Sequence, residues 1–227
     1  MRLKVGVLAV VLVGAVALSA IAVGSASADE WFVEGAKLAA GKSAALATTT
    51  AVDEFAKMRV SPGSASEVEI ECTGAALVEV NVYISSGTGG MAQSLTLEKC
   101  SVTKPTTGCA LEGQPTTIKT NALGVTTALA GPNTKVGINV HPLTKKTFTE
   151  IPFTESSTCL GGGGLKPVNG SILLLSSDGA TEAVTHTLMG QGSVENNSLE
   201  SGGNKTIFEG GLALLKLASG SKWSFHA

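Results

Sequence analysis

The run Ala36-Lys37-Leu38-Ala39-Ala40-Gly41-Lys42-Ser43 ends in the Gly-Lys-Ser of a phosphate-binding loop, which supplies a glycine turn, a phosphate-contacting lysine and a magnesium-binding hydroxyl. Ala36 stands where the first glycine is required and no buried strand has room upstream, so nucleotide binding is not expected. Ser/His/Asp hydrolysis needs a nucleophile held beside a base, and its usual marker, G-x-S-x-G, does not occur. The three histidines separate by alternation. His141 falls on a polar face with Asn139, and His226 falls on the face opposite Trp223 and Phe225. His186 shares a face with Val184 and Leu188, so it points inward, where its ring needs hydrogen-bond partners. A satisfied core histidine is the expected role, and a base lining a pocket is the rival.

Acids form the second group. In Glu67-Val68-Glu69-Ile70-Glu71-Cys72 they alternate with apolar residues, and Val78-Glu79-Val80-Asn81-Val82-Tyr83-Ile84 repeats the pattern. Paired as a hairpin, these segments set Glu71 opposite Glu79, beside Glu67 and Glu69. Like charges in that arrangement repel, so Lys99 or Lys119, solvent, or a bound cation must offset them. Calcium suits carboxylate oxygens, but its loops are dense in Asp and Asn, and a solvated acidic face is expected instead. A glycosidase pair of carboxylates calls for exposed stacking aromatics. Only nine aromatics occur, and Phe153, Phe208, Trp223 and Phe225 sit in apolar company.

The four cysteines are the third group. An even number in an exported chain favours two disulfides, and zinc spacing is absent. Cys100 and Cys109 bracket a short Thr- and Pro-containing segment that can close across a hairpin, which leaves Cys72 with Cys159.

The elements that would position these groups are strands. Glu67 to Cys72 and Val78 to Ile84 alternate most clearly. Ser94 to Lys99, Thr116 to Thr120, Lys135 to Val140, Thr147 to Ile151, Ser171 to Leu175, Glu182 to Leu188, Leu212 to Leu217 and Lys222 to Phe225 follow, separated by Gly/Asn/Ser/Pro turns. The spacing predicts an all-β antiparallel sandwich or barrel-like domain. Only Ala36 to Ala47 has helix-friendly composition, and Gly41 and the following Thr run weaken it. Gly161 to Gly164 reads as a loop, and no fixed repeat emerges.

Met1-Arg2-Leu3-Lys4, the apolar run from Val5 to Val23 and the ending Ala26-Ser27-Ala28 are the parts of a secretory signal peptide. Residues 1–28 are therefore expected to be removed after Ala28, leaving one secreted β domain, 29–227, with no integral membrane span. Loss of Arg2 and Lys4, and of no acid, takes the formal charge from -2 to -4. A mildly acidic chain offers no footprint for nucleic acid. The leader also carries much of the positive mean hydropathy of +0.29. Its Ala-, Val- and Gly-rich composition looks bacterial, so the sequons at Asn169, Asn196 and Asn204 are treated as chance.

The opening Trp31-Phe32-Val33-Glu34-Gly35-Ala36-Lys37-Leu38, then Ile70-Glu71-Cys72-Thr73-Gly74, Leu95 to Thr103 and the closing Ser219-Gly220-Ser221-Lys222-Trp223 carry a resemblance. Through them most of the chain after the leader resembles a group of uncharacterised secreted proteins of soil actinobacteria. The resemblance implies export, β-rich character and paired cysteines. It implies no catalytic residue, cofactor or metal. The expected function is a non-enzymatic structural or interaction module of the cell envelope or medium, with self-association through strand edges as one mode. The alternative is a binder of a small apolar or carbohydrate ligand, with hydrolysis around His186.

Overall fold

The computed structural model describes residues 30–39, 41–49, 55–77, 83–85, 89–130, 135–176, 178–191 and 198–226. The expected leader, Glu79 and Asn196 lie outside them. In chain order the strands are β1 (Glu30–Val33), β2 (Ala36–Lys37), β3 (Ser43–Thr49), β4 (Ala56–Val60), β5 (Val68–Leu77), β6 (Tyr83–Ser85), β7 (Gly89–Ala92), β8 (Leu95–Lys104) and β9 (Thr116–Lys119). They continue as β10 (Leu123–Ala130), β11 (Lys135–Pro142), β12 (Thr147–Phe153), β13 (Gly164–Asn169), β14 (Ile172–Leu175), β15 (Thr185–Gln191), β16 (Glu200–Ser201), β17 (Asn204–Leu217) and β18 (Trp223–His226). The described residues contain no α-helix, and the one helical turn, Cys159–Gly161, is 3-10. The protein is all-β, as alternation predicts. The helix-friendly window is extended instead: Ala36 to Ala47 supplies β2 and most of β3, because β-sheet partners on β1, β6 and β17 override a weak local preference.

Alternation explains the local burial. Ala56, Met58 and Val60 of β4 are buried, and so are Val68, Ile70 and Cys72 of β5, while Lys57, Arg59, Glu69 and Glu71 between them face outward.

The longest strand, β17, organises the sheet. Thr206 to Gly210 pair with β4, and Leu214 to Leu217 pair with β3. The switch falls at Gly210, whose φ is +110° and where a Cβ would strike the Phe55 carbonyl, so only glycine lets the two backbones approach. From β17 the pairing runs through β3, β6, β7, β10, β11 and β14 and returns to β17 through β15. The antiparallel sheet therefore curls into a barrel-like wall. A second path runs through β4, β5, β8 and β9, meets β12 at the Thr120–Thr149 bridge, and returns through β13 and β16. Returning on themselves, these paths leave few open edges.

A small sheet of order β18-β1-β2 joins the first and last described strands, with Trp31 opposite Phe225 and Val33 opposite Trp223. Phe153, Phe208, Trp223 and Phe225 are all buried, as their apolar neighbours predict.

Two expectations are corrected. The disulfides are Cys72–Cys100 and Cys109–Cys159, not Cys100–Cys109 and Cys72–Cys159. Cys72 and Cys100 stand directly opposite in the β5–β8 ladder with Cα atoms 3.9 Å apart, so ladder register decides the partner rather than closeness in sequence. Cys109 and Cys159 meet, Cα to Cα 5.3 Å, where the loop after β8 lies against the end of β12. The acidic segment is also paired differently. Its neighbours are β4 and β8, and the described part of the second segment, Tyr83 and Ile84, pairs with β3 and β7.

Candidate functional site

The acidic face meets basic residues of the chain itself. Register sets Lys57 opposite Glu71 and Arg59 opposite Glu69 on β4, and Lys104 opposite Glu69 on β8. Lys57 Nζ lies 3.3 Å from a Glu69 oxygen and 3.4 Å from a Glu71 oxygen. Burial works against the Lys57 ammonium, and the two carboxylates outweigh it and hold its pKa above the ordinary lysine range. Lys99 and Lys119 take no part in these ion pairs. Glu67 is buried and accepts hydrogen bonds from Arg59 Nε at 2.6 Å, Lys104 Nζ at 2.8 Å and the Gly63 amide at 3.0 Å. The Arg59 and Lys104 hydrogen bonds outweigh the cost of burial, and with the Gly63 amide they hold the Glu67 carboxyl at about 2 against an ordinary 4.5.

The sign of the linkage follows. A carboxyl whose folded pKa lies below its unfolded one stabilises fully above pH 4.5, and that contribution is lost as pH falls from 4.5 toward 2. Converting the depressed pKa predicts that Glu67→Gln lowers stability by about 3 kcal/mol at neutral pH. It should also flatten the loss of stability between pH 5 and 2, as read by denaturant unfolding at each pH. The acids are thus saturated by the chain's own cations. The melting temperature is expected to be the same in millimolar calcium and in chelator, and a rise with calcium would restore the cation reading.

His186 points inward, as its alternation predicts, and is wholly buried. Nε2 lies 2.7 Å from the Trp223 carbonyl oxygen. A carbonyl only accepts, so Nε2 carries a proton and donates it. Nδ1 lies 3.1 Å from Asp178 Oδ1, which also accepts the Ser176 hydroxyl proton at 2.7 Å. Burial pushes the Asp178 carboxyl up, and these hydrogen bonds outweigh it, leaving the carboxyl below its ordinary range. Serine, aspartate and histidine thus meet, but in the wrong order. Hydrolysis needs the imidazole between the hydroxyl and the carboxylate, whereas here Asp178 stands between Ser176 and His186, and a backbone carbonyl takes the far nitrogen. The ring packs edge-on against Trp223, centroids 4.6 Å apart, and against Phe225 at 5.7 Å. His186→Phe keeps the aromatic packing and removes both hydrogen bonds. Because Ala183 N–H still serves the Trp223 carbonyl, the expected loss is about 1–2 kcal/mol by chemical denaturation.

The other candidates resolve similarly. The Gly-Lys-Ser segment forms the connection from β2 into β3, with Lys42 N–H donating to the Ala39 carbonyl at 2.9 Å, and a strand follows it where a phosphate loop needs a helix. His226 sits opposite Glu30 and edge-on to Phe32. His141 shares the half-buried face of β11 with Asn139, opposite the buried Ile138 and Val140; its ring lies over Gly124 on the neighbouring strand, and its Nδ1 is buried with no hydrogen-bond partner among the described residues.

His141 also borders the cleft that sequence reasoning missed, a recess of about 400 Å³. Two turns and one segment converge there: the β11–β12 turn with Lys145 and Lys146, the β13–β14 turn at Gly170, and the approach to β16. The backbone is tied together. Gly170 N–H donates to the Lys146 carbonyl at 3.2 Å, Ser171 N–H to Ser198 Oγ at 3.0 Å, and Ser198 N–H to the Ser171 carbonyl at 3.0 Å. Asn169 and Glu200 complete the polar rim. The one sequence signal was the Lys145-Lys146 pair in a turn; the convergence joins segments more than 50 residues apart and leaves no local pattern. No family model, curated protein or solved structure matches the chain.

Proposed function

We propose that the protein is an exported, non-enzymatic, disulfide-stabilised β-rich module of the cell envelope or the surrounding medium. The observation carrying this reading is His186: it is wholly buried, with both ring nitrogens engaged and, among the described residues, no nucleophile hydrogen-bonded to it. Two disulfides, Cys72–Cys100 and Cys109–Cys159, support an oxidising destination. No helix of the described residues is long and apolar enough to cross a membrane. The test combines fractionation of a secreting culture with ester, glycoside and peptide substrates offered to the oxidised protein. Recovery in envelope or medium without turnover is expected. Turnover abolished in a folded His186→Phe variant would overturn the reading.

Self-association belongs to this reading too. β2 ends the small sheet with an exposed edge, and sedimentation at several concentrations tests whether it recruits a second copy.

A second reading, binding of a small ligand, is favoured by the cleft beside His141 rather than by the surroundings of His186. Lysine, amide, hydroxyl and carboxylate groups line it beside Pro142, His141 and Gly170, and their hydrogen-bonding capacity suits the carbohydrate form of that reading.

A further inference from the structure

We infer that the cleft between the β11–β12 and β13–β14 turns binds a carboxylate-bearing sugar of the uronic acid type. This rests on the ligand-binding reading and names the chemical class of its ligand. The size is suitable, since about 400 Å³ falls within the range of about 300–1,000 Å³ usual for small-molecule sites.

Charge narrows the class. Lys145 and Lys146 are exposed at the rim, and neither has a carboxylate partner among the described residues. With Glu200 on the same lining, the two ammonium groups leave an excess of one positive charge, which matches a monoanion. A phosphate dianion fits poorly. Phosphate sites present free backbone N–H groups, and here the amides of the β13–β14 turn are consumed, Gly170 by the Lys146 carbonyl and Ser171 by Ser198 Oγ. Glu200 would also repel a second negative charge.

Hydroxyl chemistry narrows it further. Asn169, Ser171, Ser198 and Glu200 offer a mixture of donors and acceptors, which matches a polyol whose every hydroxyl both donates and accepts. Ser171 Oγ and Ser198 Oγ lie 2.8 Å apart, so their geometry is already set by the fold before a ligand arrives. Among the described residues no Trp, Tyr or Phe lines the cleft, so recognition relies on charge and hydrogen bonds, and it should weaken with salt.

The test titrates the oxidised, exported protein with the monoanionic methyl galacturonoside, its neutral methyl galactoside counterpart, and inorganic phosphate, read by calorimetry and by amide shifts in NMR. Expected are binding of the uronate alone, shifts confined to the two turns and the Ser198 segment, and at least tenfold weaker binding in the Lys145→Gln/Lys146→Gln double variant. Lys166→Gln, on β13 outside the cleft lining, is expected to bind as the parent does. Equal binding of the neutral sugar, or competition by phosphate, overturns the ligand class and leaves the ligand-binding reading standing. No binding of any of the three probes overturns both. Binding unaffected by the double variant overturns the assignment to this cleft.

Discussion

Trp223→Ala is expected to lower the unfolding free energy by about 4 kcal/mol, within the range of about 3–5 for deleting a buried tryptophan. The side chain is wholly buried and joins two sheets. On its own small sheet it stacks with Phe225, centroids 5.7 Å apart and planes 29° apart, and with Trp31 at 6.3 Å and 30°. From the curled wall it meets the edge of His186. Its main chain exchanges hydrogen bonds with Ala183, at 2.9 and 3.1 Å, and Phe225 N–H donates to Gly179 O. Loss of the indole therefore empties a cavity lined by elements too well fixed to collapse into it. The indole N–H has no partner among the described residues, so the cost is that of packing and not of a broken hydrogen bond. Phe55→Ala supplies the contrast, because Phe55 is 50% exposed and is expected to cost under about 1 kcal/mol. Denaturant unfolding followed by circular dichroism measures both, and equal effects from the two variants would contradict the role given to β18.

Removing the Cys109–Cys159 bridge as a double alanine variant is expected to cost about 4 kcal/mol, against about 3.5 for Cys72–Cys100, from the closed loops of 50 and 28 residues. The structure widens that gap. Cys72 and Cys100 lie within a ladder that holds Ile70, Glu71, Gly74 and Ala75 against β8 without them. Cys109 lies in a loop outside any continuous ladder: Thr158 reaches the Gly108 carbonyl through its amide and its hydroxyl, both at 2.8 Å, Thr154 N–H reaches Ala110 at 3.0 Å, Glu112 N–H reaches the Pro152 carbonyl at 2.8 Å, and Leu111 bridges Phe153. Without the bridge, those contacts and the buried Leu111 must order the loop, with no continuous ladder to hold it. Against a usual total of about 5–15 kcal/mol, either loss is large, and the reduced protein is expected to melt well below the oxidised one. Peptide mapping under non-reducing conditions checks the pairing directly. A Cys100–Cys109 peptide would contradict the β5–β8 register itself.

Much of the strand content was legible because the period of two is a local property. Thr147 to Ile151 and Lys222 to Phe225 became β12 and β18 with small changes at their ends, and Glu67 to Cys72 became the first half of β5, which runs on to Leu77. Strands without the pattern went unread. β3 is Ala- and Thr-rich, β7 is Gly-Gly-Met-Ala, and β13 carries Pro167 among residues of mixed character. In each of these the neighbouring strands, and not the side chains, impose the extended form. The inward aim of His186 was also legible from alternation, although of the two apolar residues that flank it only Leu188 shares its buried face and Val184 is exposed. Its partners were not: Asp178 and Ser176 precede it on another segment, and Trp223 follows 37 residues later.

The acids show the same division. Alternation placed Glu69 and Glu71 on one outward face, and electrostatics required something to offset them. That the offset is Lys57, Arg59 and Lys104 depends on β4 and β8 being the neighbours of β5. The cysteines divide likewise: an even number implied two bridges, and register selected which.

By itself the sequence determined the properties that one residue shares with its near neighbours: strand character, which side chains turn inward, the need for charge compensation and for sulfur pairing. Tertiary structure decided who meets whom, because antiparallel pairing joins edges that any strand could offer, and the winning set depends on burial summed over the whole sheet. Gly210 shows the difference in one residue. Read locally it is a weak point in a strand, and in the fold it is the place where β17 leaves β4 and takes up β3.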